Sequence, residues 1–159
     1  MKLDLDRQGD GRSELVIDGV LDLGLSEGRA TQAKVRGTLL VDNIQSRFVI
    51  TGVLSVSGRA ECGRCLTEFD LFWDASVEIT ILRRVDPDET EGQSLVLHQA
   101  TGEVDLMGSL RECVILGYPQ LSVCREDCKG LCAQCGADLN EGICNCTEVE
   151  VDPRWEGLP

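Results

Sequence analysis

The chain holds a single histidine, His98. That one imidazole leaves no pair to bind a metal at helical spacing and makes a histidine-based catalytic triad a poor reading. No glycine-rich phosphate loop and no nucleophile elbow occur either, so the common signatures of nucleotide and acyl-transfer chemistry are missing. No run of about twenty apolar residues exists that would span a bilayer as a helix. The segment Met1-Lys2-Leu3-Asp4-Leu5-Asp6 lacks the apolar stretch of a secretory leader, which predicts a cytoplasmic protein in a reducing compartment. Basic residues are outnumbered, 15 Lys and Arg against 28 Asp and Glu, for a net charge of −13 over 159 residues. Nucleic-acid binding rests on cations that neutralise phosphates, so the overall field of this chain opposes it. That field favours basic partners and keeps the protein dissolved.

What is present is enough apolar residue, 42%, to bury a core in one domain. The first two-thirds read as β-structure. Stretches 14–23, 33–41 and 47–60 carry period-two alternation and β-branched residues, with Gly52 as a candidate bulge. Residues 69–82 are long enough for two strands or one bent strand, and Ser94–His98 predicts one more short strand. Such a pattern predicts antiparallel strands with one wet face, closing into a small barrel-like or curled sheet. The acidic stretch from Asp86 to Gly92 reads as a solvated loop. One helix is expected from Leu106 to Leu116, with Asp105 as N-cap and Leu106, Leu110, Cys113 and Val114 on its buried face. Gly117 and Pro119 would end it. The fold class is therefore α+β, mainly β, with residues 1–119 as a β-rich domain and 120–159 as a cysteine-rich arm and tail.

Nine cysteines dominate the remainder. The count is odd, and with no leader such spacing points to metal rather than to disulfides. Between Cys124 and Cys146 six cysteines and several glycines stand among few large apolar residues, too few for an ordinary core. Cys132-x2-Cys135 has the form of a zinc knuckle, in which Gly136 supplies the positive φ of the turn. Cys144-x-Cys146 offers two more sulfurs a short loop away. Cys132, Cys135, Cys144 and Cys146 thus make one candidate zinc site. Cys62, Cys65, Cys124 and Cys128 make a second, tying the arm to the β-domain. Cys128 is also within reach of Cys132, so Cys124 or Cys128 could replace a member of the first set. Cys113 reads as a buried small apolar residue. The spacing matches neither ferredoxin pattern. Four sulfurs leave no open coordination position, which argues against a catalytic metal and against an enzyme.

In its order of segments the chain resembles the YceD-like proteins. Cys62-Gly63-Arg64-Cys65-Leu66-Thr67-Glu68-Phe69 looks like their signature segment. The run from Cys124 to Asn140 and the closing Asp152-Pro153-Arg154-Trp155 look like the zinc-type branch. The likeness covers roughly Val35 to Leu158. Proteins similar to this are named large ribosomal RNA subunit accumulation proteins. The resemblance implies a non-enzymatic factor for synthesis, processing or stability of 23S ribosomal RNA, with zinc as a structural support. The expected partner is then a ribosomal protein or a pre-ribosomal particle, with direct contact to ribosomal RNA left open, and neither a membrane nor a small-molecule substrate is expected. Asp152, Pro153, Arg154 and Trp155 are then candidate partner contacts. The acidic charge adds a mechanism, holding a basic ribosomal protein until assembly. The alternative is a thiol–disulfide or redox-sensing protein using Cys62 and Cys65. A zinc-ribbon adaptor for transcription is a third reading.

Overall fold

A computed structural model describes residues 2–25, 29–44, 47–83, 95–99 and 101–146. Its chain order is β1 (Lys2–Asp4), β2 (Gly11–Asp22), β3 (Gln32–Ile44), β4 (Arg47–Glu61), β5 (Glu68–Leu82), β6 (Leu95–His98), β7 (Glu103–Asp105) and α1 (Met107–Leu116). Strands β2 to β6 form one five-stranded sheet in sequence order, and β1 pairs with β7 in a second, two-stranded sheet. The four long strands are antiparallel hairpins in simple succession, as their alternation predicts. The sheet is open rather than closed into a barrel, since β2 and β6 lie at opposite edges. Residues 69–82 belong to one 15-residue strand, not two.

Three expectations are corrected. Strand β6 runs parallel to β5, pairing Ile79 with Leu95 through Leu82 with His98. Alternation fixes which face a residue occupies but not the direction of its strand. Gly52 makes no bulge, because the register of β3 against β4 is the same on either side of it. It serves a close approach instead. A Cβ there would meet Leu39 Cδ2 at 2.8 Å, and a Cβ on Gly37 would meet Val53 O at 2.8 Å. The helix starts at Met107 with Leu106 as N-cap, one residue later than expected. Asp105 still acts there, because its Oδ1 accepts a 3.0 Å hydrogen bond from Met107 N. The stretch 86–92 lies outside the described residues.

One face of the sheet is dry. Ile17, Leu21, Val35, Leu39, Phe48, Ile50, Leu54, Ile79 and Ile81 fall at alternating positions and are essentially unexposed. Each such side chain contributes about 1.5–3 kcal/mol by leaving water. Helix α1 packs on this face through Leu110, Cys113 and Val114, as its three-and-four spacing predicts. Trp73 Nε1 donates to Val114 O at 3.2 Å, and its ring meets Tyr118 edge-on at 5.1 Å. Arg111 clamps the opposite side, donating to the carbonyls of Asp22 and Leu23. After Tyr118 the chain passes to the tip of the β4–β5 hairpin, where the cysteines gather. Among the described residues no helix is long and apolar enough to cross a membrane.

Candidate metal centres

Two sets of four sulfurs come together: Cys62, Cys65, Cys124 and Cys128, and Cys132, Cys135, Cys144 and Cys146. Within each set the sulfurs lie within 4.8 Å of one another. These are the two groupings expected from spacing, and Cys124 and Cys128 lie with Cys62 and Cys65 rather than with the distal four.

The proximal set is built on the β4–β5 turn. Cys62 N donates to Thr67 O at 2.9 Å, and Leu66 N returns to Cys62 O at 2.9 Å. The turn closes through Leu66 at φ +61°, a left-handed conformation that is costly for a residue with a Cβ. Arg64 N and Cys124 N each point at Cys62 Sγ from 3.4 Å. The arm supplies the other two sulfurs, Cys124 Sγ 3.7 Å from Cys65 Sγ and Cys128 Sγ 3.9 Å from Cys62 Sγ. A disulfide would need about 2.05 Å, so these pairs are thiols. Four sulfurs placed tetrahedrally at about 2.3 Å from a zinc ion would stand roughly 3.8 Å apart, which matches both separations.

Arg64 joins turn and arm. Its Nη1 donates to Glu126 O and Cys128 O at 3.2 and 3.0 Å, and its own carbonyl accepts from Leu131 N at 3.0 Å. Gly130, at φ +75°, lets that approach happen, since a Cβ there would sit 2.9 Å from Arg64 O. Gly63 N adds a bond to Ser122 O at 2.8 Å. Around the sulfurs Phe69, Val123 and Leu131 form a small apolar cluster separate from the main core.

The distal set repeats the turn. Cys132 N donates to Ala137 O at 2.8 Å, Gly136 N returns to Cys132 O at 2.9 Å, and Gly136 stands at φ +72°. The positive φ expected of Gly136 is therefore present. Leu131 and Asp138 close the loop as an isolated antiparallel bridge. This set lacks a cover: Cys135 and Cys146 are exposed. Asn140 links the two sets. Its Nδ2 donates to Cys128 Sγ at 3.5 Å, and its Oδ1 accepts from Lys129 N at 2.9 Å.

The electrostatics favour a cation in both places. Burial pushes the Cys62 thiol up, but the N–H groups of Cys124, Cys65 and Arg64 outweigh it and bring it down to about 6. Burial and the neighbouring sulfurs hold Cys124 up at about 12. In the distal set the N–H groups of Cys135 and Gln134 lower Cys132 to about 6, while Cys135 and burial raise Cys146 to about 12. Hydrogen bonding to Thr67 lowers the Cys65 thiol as well, so each set holds lowered and raised thiols side by side and resists gathering four thiolates, a conflict that a dication would relieve. Cys113 stands apart on α1, its thiol raised by burial.

Spacing alone missed Arg64, Asn140 and Leu66. Arg64 had one signal, its place inside the Cys62–Cys65 gap. The candidate contacts Asp152, Pro153, Arg154 and Trp155 lie outside the described residues. The Cys62–Cys65 pair sits in a hairpin turn, not at the start of a helix as in a dithiol redox motif, and Cys62 is buried from any attacking group.

Residues 50–159 match the family model described as large ribosomal RNA subunit accumulation protein YceD. An uncharacterised protein of Mycobacterium tuberculosis is 31% identical over 121 residues, which are 76% of this chain and 58% of the relative. One of Mycobacterium leprae is 29% identical over 131 residues, 79% of this chain and 58% of the relative. The Arabidopsis thaliana protein named large ribosomal RNA subunit accumulation protein YCED homolog 1, chloroplastic, is 38% identical over 56 residues, 35% of this chain and 17% of that one. The chain spans 58% of the length of the mycobacterial relatives it matches. No solved structure matches it.

Proposed function

The chain belongs to the YceD family, and from that premise we propose that it is a non-enzymatic factor for the synthesis, processing or stability of 23S ribosomal RNA in large-subunit assembly. The match of residues 50–159 to the family model carries this reading. In it the protein works in the cytoplasm on a ribosomal protein or a pre-ribosomal particle. The −13 net charge favours a basic protein partner over naked RNA.

Zinc is the support of this device. The proximal set, Cys62, Cys65, Cys124 and Cys128, and the distal set, Cys132, Cys135, Cys144 and Cys146, would each hold one ion. The sulfur separations of 3.7 and 3.9 Å support that reading for the proximal set. Bound zinc would supply cross-linking and no reaction, because four sulfurs fill its coordination. In this reading residues 1–119 are the β-rich part and 120–159 an arm held by metal, with Asp152 to Trp155 as candidate contacts in its tail.

Two measurements test the proposal. Depleting the protein should lower the ratio of 23S to 16S ribosomal RNA, and an unchanged ratio would overturn the role. Elemental analysis of the purified protein should find two zinc ions per chain, and metal-free protein with eight titratable thiols in the two sets would overturn the zinc.

A further inference from the structure

The two cysteine sets meet through one side chain. Asn140 lies on the loop between Cys135 and Cys144, so its place in the chain belongs to the distal set, yet its amide reaches the proximal one. Its Oδ1 accepts from Lys129 N and from Arg125 Nη2, both at 2.9 Å, and its Nδ2 donates to Cys128 Sγ at 3.5 Å. All three partners belong to the segment that carries Cys124 and Cys128. Two donors claim the oxygen, so the NH2 group is the one that faces the sulfur. Asp138 holds it there, its Oδ1 accepting from Asn140 N at 2.8 Å and from Nδ2 at 2.6 Å.

Cys128 differs from its neighbours in where its donor comes from. Cys62 Sγ faces the backbone N–H groups of Arg64 and Cys124. The Thr67 hydroxyl lies 3.4 Å from Cys65 Sγ, within the same turn. Cys128 Sγ draws its N–H from the loop of the other set. A donor of this kind withdraws charge from a ligating thiolate, which lets four of them share one ion, and losing such a partner typically costs about 10- to 100-fold in metal affinity. Little but the closure of its own loop keeps Asn140 in position. None of residues 136–143 is buried, and Ile143 is 98% exposed. The backbone ties of the loop to the rest of the arm are Leu139 N to Gly130 O at 2.9 Å and the bridge of Leu131 with Asp138. An ion shared by Cys132, Cys135, Cys144 and Cys146 would clamp both ends of that stretch.

We infer that the two metal centres are coupled: an ion in the distal set fixes Asn140 against Cys128 and so tightens the proximal centre, with Asn140 as the positioning residue. Linkage is reciprocal, so a filled proximal set tightens the distal one by the same factor. This coupling rests on the reading of both sets as zinc sites and adds to it an order of dependence, in which the outer ion governs the hold on the inner one.

Competition against a chelator, with the full chain loaded with zinc, measures the affinity of the proximal set. Cys144→Ser with Cys146→Ser empties the distal set, and the proximal affinity should then fall about tenfold. Asn140→Ala should give a similar fall with the distal ion still bound. Combined, these substitutions should cost no more than either change alone, because one contact is lost in both. Asn140→Asp keeps an oxygen for Lys129 N but brings no N–H to the sulfur, and it should not restore the affinity. Cadmium-113 spectra give a second readout. The distal-empty variant identifies the proximal resonance, and Asn140→Ala should move that resonance as its sulfur loses a hydrogen bond. Amide shifts of β3 and β4 should show every variant folded. A proximal affinity indifferent to the distal set, losses that add in the combined variant, full affinity in Asn140→Asp, or an unmoved proximal resonance would each overturn the coupling. A chain that binds no metal overturns the zinc reading itself, whereas two ions held independently overturn the coupling alone.

Discussion

The two cysteine sets use one turn in two settings. In each, the first cysteine's N–H reaches a carbonyl five residues on and a left-handed residue closes the loop, Leu66 in one and Gly136 in the other. The proximal set is embedded, with Cys62, Cys65 and Cys128 buried among apolar neighbours and held by Arg64. The distal set stands in solvent with two exposed sulfurs. Identical local chemistry therefore has unequal consequences. The proximal set joins the arm to the sheet, while the distal set folds the arm on itself. A costly φ at Leu66 persists in the embedded turn because its surroundings over-determine it, and the bare turn has the residue that needs no such support.

With zinc bound in both sets as proposed, the largest effect should come from metal removal. Structural zinc is worth on the order of ten kcal/mol of folding energy, so chelation should free residues 120–146 while the β-sheet stays protected, as amide exchange would read. Loss of protection in β3 and β4 as well would erase the distinction between arm and sheet. Next in size, Cys128→Ser should expose the whole arm to protease, whereas Cys135→Ser should open only the distal loop. Cleavage patterns that coincide would make the two sets one unit. In a competition with a chromogenic chelator, the exposed distal ion should leave first, giving two phases, and a single phase would contradict the difference in burial. A smaller effect separates the turns: Gly136→Leu should cost about 1–2 kcal/mol, while Leu66→Gly should change stability by less than about 1 kcal/mol, because relieved strain and added chain entropy oppose each other. Arg64→Ala should cost about 1 kcal/mol, since its hydrogen bonds are charge-assisted but partly in water, and zinc content should be kept.

Much of this was readable in advance for definite reasons. The four long strands declare themselves because one face is dry, so apolar residues fall on alternate positions at Val35, Leu39 and Val41, with Gly37 between them, and at every second position from Ala75 to Ile81. Strands β1 and β7 escape notice because three residues are too short to show a period. The parallel course of β6 is a property of the connection, not of the strand. Cysteine spacing groups the distal set because its turn is local. The membership of Cys62 and Cys65 with Cys124 and Cys128 follows only by elimination, since the partners lie 59 and 66 residues apart. Arg64 and Asn140 act through backbone carbonyls and a sulfur, contacts that no residue pattern announces.

Those separations also set an order in time. The distal set closes within 14 residues, from Cys132 to Cys146, whereas the proximal set must bring together segments about 60 residues apart. The added entropy of the longer closure is roughly 1–2 kcal/mol, and rates of folding fall with such non-local contacts. The distal knuckle can therefore form early, as a finished unit, before the arm is joined to the hairpin tip. The joint at Arg64 and Asn140 is the last to close, so a chain caught midway presents a sheet and a folded arm not yet fastened together.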